Sequence, residues 1–289
     1  MAALVALGMG ACSSAPPEPT GPQGVVATIT TPPKTAAAPP SPATTTSAAP
    51  DGWYLALGDS LAAGFQPTTG DQKERGYAGP VLEGVRKTQP GTRLTNLGCS
   101  GETTTTMLRG GLCRYPEGSQ TAAAVAFLKA NAATTRLVTL DMGANNVLRC
   151  SRPAVDQACA KSTTATVTKE LTSILGQLRA VAPKVEIVLL TYYDPLLAAW
   201  RQGPEGKAVA AQSQPLLGGF NAQIAAVAKG AGAKVADVAG AFATADGTGS
   251  PQPTNVTRIC DWTWMCSRGD IHANDAGYAA MAQAVLAVR

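Results

Sequence analysis

The sequence predicts an α/β fold: a three-layer α/β/α sandwich around a five-stranded parallel sheet, with strands in the flavodoxin-like order rather than the dinucleotide-binding one. Two observations lead there. From residue 51 onward, short apolar runs alternate with amphipathic stretches, a pattern that implies a parallel sheet covered on both faces. The residues best suited to chemistry follow directly after the apolar runs, on the loops where open α/β sheets place their working groups.

Residues 53–57 read as a strand ending at Gly58, 79–89 as a helix and 92–97 as the second strand. Residues 121–130 are helical, and 136–141 form a strand with Leu137, Val138 and Leu140. Val167, Leu171, Ile174, Leu175 and Leu178 recur at helical spacing until Pro183. The run 185–191 (VEIVLLT) is the most apolar strand, 212–229 is a helix, 233–238 a strand and 275–288 the last helix.

The 51–289 portion of the 289 residues is long enough to bury one large core. The formal charge of +4 comes from singly scattered Lys and Arg. No basic stripe with interleaved aromatics supports a nucleic-acid partner. The body has no apolar run of about eighteen residues, so a spanning helix is not expected.

Residues 1–11 are small and apolar and run into Cys12. They read as an export signal ending at a lipidated Cys12, or as an ordinary signal followed by a chance cysteine. The stretch 12–50 carries ten of the 21 prolines, with Thr, Ser and Ala. It predicts a disordered tether. The expected location is accordingly the cell envelope or the medium, with membrane contact only through a lipid on Cys12.

Setting Cys12 aside leaves six of the seven cysteines. Proximity pairs Cys99 with Cys113, Cys150 with Cys159 and Cys260 with Cys266, one of fifteen connectivities. An even count suits an oxidising compartment. A chain with no C-x-x-C and one histidine offers little to zinc, so no metal and no cofactor is expected.

Four segments carry candidate chemistry. Ser60, in LGDSLAAG after the first strand, is placed where a helix would begin, with backbone N–H groups aimed at a nearby anion. In NLGCSGET after the second strand, Gly101 can bring its N–H close to a substrate oxygen. After the third strand, DMGANN presents Asn145, an uncharged amide suited to a developing oxyanion. His272, in RGDIHANDAGY, lies on the loop before the last helix. It is the one histidine, the side chain suited to accept a serine proton near neutral pH. Each residue taken alone could also be a cap, a turn residue or an incidental surface group.

Together these segments resemble the SGNH, or GDSL-type, hydrolase family, over nearly all of residues 53–289. The resemblance implies a three-layer sandwich acting on esters, thioesters or acylated sugars. It implies Ser60 as nucleophile, His272 as base, and the N–H groups of Ser60 and Gly101 with the Asn145 side chain as oxyanion donors. The chain departs from the family pattern twice. Asn146 stands where the third block usually has Asp, and Gly269 stands where the acid is usually found, with Asp270 one residue later. Either Asp270 reaches the imidazole, or the Gly269 carbonyl orients it in a Ser–His dyad. The expected reaction is acyl transfer to Ser60 and then to water, by a monomer without nucleic-acid partners. Two alternatives are a deacetylase or acyltransferase working on polysaccharide, and a silent wall-binding lipoprotein. Trp262 and Trp264, within the Cys260–Cys266 loop, read either as an apolar wall for an acyl chain or as cover for the core.

Overall fold

A computed structural model of the chain describes residues 52–151 and 155–289. The expected signal over 1–11, the lipidation at Cys12 and the tether over 12–50 lie outside the described residues.

Five strands form one parallel sheet: β1 (Gly52–Gly58), β2 (Thr92–Asn96), β3 (Thr135–Asp141), β4 (Ile187–Leu190) and β5 (Lys234–Ala236). Their order is β2-β1-β3-β4-β5, the flavodoxin-like order expected. β3 and β4 are almost wholly buried, as strands covered on both faces must be.

The first helices are α1 (Ala78–Arg86), α2 (Thr104–Arg109), α3 (Gln120–Asn131), α4 (Ala144–Leu148) and α5 (Gln157–Val181). There follow α6 (Gly203–Gly230), α7 (Val238–Ala241), α8 (Thr254–Trp262), α9 (Met265–Arg268) and α10 (Asp275–Leu286). α3, α5 and α6 pack side by side as one layer, and α1 packs with α10 in the other. The five residues at helical spacing in α5 are its buried stripe, and Asp156 caps its start by accepting from Cys159 N at 2.9 Å.

Two expectations need correction. The helix expected over 212–229 begins at Gly203, because Pro204 suits a first helical turn and Gly206 packs against the Ala199 carbonyl, where a Cβ would come within 1.9 Å. Ser60 does not open a helix. Residues 59–65 make only a short hydrogen-bonded turn (Ala63 N to Asp59 O, 3.0 Å; Phe65 N to Ser60 O, 2.9 Å). Gly64 ends that turn at φ +66°, pressed against Gly76.

Candidate active site

β1 ends at Gly58, whose φ of +145° and contact with Asp141 leave no room for a Cβ. Gln120 of α3 holds this turn by accepting from Gly58 N at 2.7 Å and donating to Gly58 O at 3.0 Å. Asn96, at the end of β2, donates to Ala62 O and Lys73 O, each at 2.7 Å. Ser60 is thus carried on a backbone clamped from both neighbouring elements.

His272 reaches the same edge of the sheet. Its Nε2 lies 2.8 Å from Ser60 Oγ, and its Nδ1 lies 2.7 Å from Asp270 Oδ1. The tautomer that satisfies both contacts carries its proton on Nδ1 and leaves Nε2 to accept from the serine. Asp270 Oδ1 also accepts from His272 N at 2.9 Å. The carboxylate therefore turns back over its own loop despite the short spacing. The ring is met by Asp270, not by the Gly269 carbonyl.

Other groups hold this loop. Tyr193 OH donates to Ile271 O at 2.8 Å, and Trp264 N to His272 O at 2.9 Å. Phe65 packs its ring 4.4 Å from the imidazole centroid. The tryptophans of the Cys260–Cys266 loop line no part of the cavity beside Ser60. Trp262 packs edge-on against Phe242, and Trp264 donates to Gln66 Oε1 at 2.7 Å. Their role is to back the histidine loop, so the reading as an acyl wall is set aside.

The N–H groups of Ser60 and Gly101 donate no hydrogen bond to other described residues and remain available as donors. Asn145 Nδ2 donates one hydrogen to Glu102 O at 2.9 Å, leaving the second for a ligand. Asn146 is buried and takes over loop support, accepting from Thr104 N at 3.0 Å and donating to Thr104 Oγ1 at 3.1 Å. Ser60, His272, Asp270 and Asn145 thus meet at the carboxyl edge of the sheet, with Gly101 on the loop after β2.

The model of the GDSL-like Lipase/Acylhydrolase family matches residues 56–280. The chain belongs to that family. It is a hydrolase of carboxylic ester bonds. No curated protein matches it significantly. Among solved structures it is similar to a lipase from a goat rumen metagenome (TM-score 0.53, 18% identity, 82% of this chain and 96% of that one). It is also similar to phospholipase A1 from Streptomyces albidoflavus NA297 (0.52, 20%, 83% and 100%). An acetylxylan esterase from Geobacillus stearothermophilus is a further likeness (0.52, 17%, 82% and 94%). At these identities the likeness is one of fold.

Beneath the nucleophile of this GDSL-like hydrolase lie groups that its motifs do not announce. Asp59 and Asp141 are both buried, and Asp141 Oδ2 accepts from Asp59 N at 3.3 Å. Asp141 Oδ1 accepts from Tyr77 OH at 2.5 Å, and Asp59 Oδ2 from Tyr192 OH at 3.3 Å. Burial, and then the charge of Asp59, push the Asp141 carboxyl well above its usual range. Asp59 is also raised, first by burial. A carboxyl whose folded pKa exceeds its unfolded value binds more protons when folded, so its contribution is full at low pH and is lost as pH rises through the folded value. Asp141→Asn is expected to flatten the fall in thermal midpoint above about pH 4. An unchanged slope in a pH series of melting curves would show that Asp141 is not the group that takes up the proton.

Glu102 is buried as well. Burial pushes its carboxyl up to about 7 against hydrogen bonds from Gln120 and Tyr115. Through Gln120 it is linked to Gly58, and through its own carbonyl to Asn145. One residue therefore ties the oxyanion loops to the nucleophile turn.

The three disulfides, Cys99–Cys113, Cys150–Cys159 and Cys260–Cys266, join the pairs expected from proximity. The first braces the loop of Gly101 and the second follows the helix of Asn145. Reduction is expected to lower esterase activity at reductant concentrations that leave the far-UV spectrum unchanged. Full activity in strong reductant would show that the bridges do not hold the site.

Proposed function

We propose that this hydrolase works through an acyl-enzyme on Ser60, with His272 as general base and acid and Asp270 orienting and charge-stabilising the imidazole. The observation that carries this reading is the continuous chain Ser60 Oγ–His272 Nε2 at 2.8 Å and His272 Nδ1–Asp270 Oδ1 at 2.7 Å. His272 takes the hydroxyl proton as Ser60 Oγ attacks the ester carbonyl. The negative charge on the carbonyl oxygen is received by the N–H groups of Ser60 and Gly101 and by the Asn145 amide. Collapse expels the alcohol, which leaves with the proton from His272. Water, deprotonated by the same ring, then frees the acid and restores Ser60.

The proposed setting is outside the cytoplasm, as an envelope lipoprotein anchored through Cys12 or as a secreted protein. Support comes from disulfide use of all six cysteines among the described residues, which suits an oxidising compartment.

A fluorophosphonate probe tests the mechanism. The expected result is one covalent adduct, located by peptide mass spectrometry on Ser60, with parallel loss of aryl-ester hydrolysis. Labelling at another serine, or inactivation without an adduct, would overturn the assignment.

A further inference from the structure

Beside Ser60 and His272 lies a cavity of about 110 Å³, which also takes in Asn145. Its walls are Val147 and Leu148 of α4, Ala160 of α5, Leu217 and Phe220 of α6, and Ile271. Polar side chains also border it, but their hydrogen-bonding atoms are engaged by protein. Asp194 accepts from Leu196 N at 2.9 Å and from Ser213 Oγ at 2.7 Å. Ser151 Oγ donates to Leu148 O at 2.7 Å, and Thr164 Oγ1 to Ala160 O at 2.8 Å. The hydroxyls of Tyr192 and Tyr193 go to Asp59 and Ile271 O. Apart from the reacting groups and Asn145, these bordering side chains are engaged, so a sugar would exchange its water hydrogen bonds for an apolar wall. A hydrocarbon chain would leave nothing unpaired.

The size of the cavity sets a chain length. An apolar cavity of about 150 Å³ takes a ring of about six carbons, so this space takes on the order of four carbons. We propose that this cavity is the acyl pocket and that the enzyme is selective for short acyl chains of about four carbons over acetyl groups and over long chains. The assignment rests on the Ser60 acyl-enzyme reading. It adds which part of the substrate is read, and by which residues. Ala160 and Leu217, on facing helices, are specificity-determining residues that touch the chain but not the reacting atoms.

The test is a series of p-nitrophenyl esters from acetate to palmitate, with a parallel series of alkyl acetates in which only the alcohol lengthens. Burying each methylene is worth about fourfold at most. The expected kcat/KM rises roughly two- to fourfold per acyl carbon to about four carbons and then falls, while the alcohol series stays flat. Ala160→Trp fills the pocket and is expected to cut butyrate hydrolysis at least about fourfold, leaving acetate within about twofold. Leu217→Ala enlarges the pocket and is expected to move the optimum to longer chains. Acetate turnover and Ser60 labelling report that both variants are folded. Acetate as the best wild-type ester, a gain that follows the alcohol, or an unmoved profile in a folded variant would overturn the pocket assignment alone. Loss of Ser60 labelling together with no hydrolysis of any ester would overturn the acyl-enzyme reading, and the pocket with it.

Discussion

Ser60→Ala is expected to lower kcat by about four to six powers of ten while leaving the thermal midpoint within about 2 °C. The hydroxyl is bonded, among the described residues, to His272 Nε2 only, so the fold loses little with it. His272→Ala should cost about as much, because attack on an ester needs the serine proton to leave as the bond forms. The double variant should then be no slower than either single one, since the two groups act as a unit. Steady-state turnover of one aryl ester by the three variants, with melting curves, measures all of this. Activity above about 1% in folded Ser60→Ala would move the nucleophile elsewhere.

Asp270→Ala is the second large effect, a loss of about three to four powers of ten in kcat/KM. The carboxylate does two things at once. It fixes the ring through Nδ1 and accepts from His272 N, so its removal frees both the side chain and the turn that carries it. Asp270→Asn keeps an oxygen for both contacts and loses only the charge opposite the imidazolium. Its loss should be smaller than that of Asp270→Ala and much smaller than that of His272→Ala. A less than tenfold loss in Asp270→Ala would mean that Phe65 and the Tyr193–Ile271 hydrogen bond suffice to hold the ring.

The acid shows where sequence reading stops. Ser60, Gly101, Asn145 and His272 follow strands or precede a helix within recognisable segments, and a parallel sheet gathers such loops at one edge. Strand order was legible for the same reason, because apolar period and element length are local properties. Whether Asp270 meets the imidazole depends on the turn after Gly269, where φ is +67° and the carboxylate folds back onto His272 N. Spacing alone does not specify that turn. Phe65, Gln120 and Asp141 were also missed as site residues, because only tertiary packing brings them to the nucleophile; Gln120 meets Gly58 across 62 positions. The short helices α2, α4, α7 and α9 are too brief to show a period, although two of them flank the oxyanion donors. The helix read over 212–229 starts instead at Gly203, where Gly206 lies against the Ala199 carbonyl in space a side chain would need.

The 212 positions that separate Ser60 from His272 also set an order of events during synthesis. The nucleophile and both oxyanion loops are made early, and the proton acceptor arrives just before α10. On the proposed mechanism, a nascent or truncated chain ending short of residue 272 holds a serine with no base beside it and is expected to be inert toward esters. Hydrolysis therefore reports that the C-terminal segment has been made and has docked, which makes enzyme activity a direct assay of complete folding.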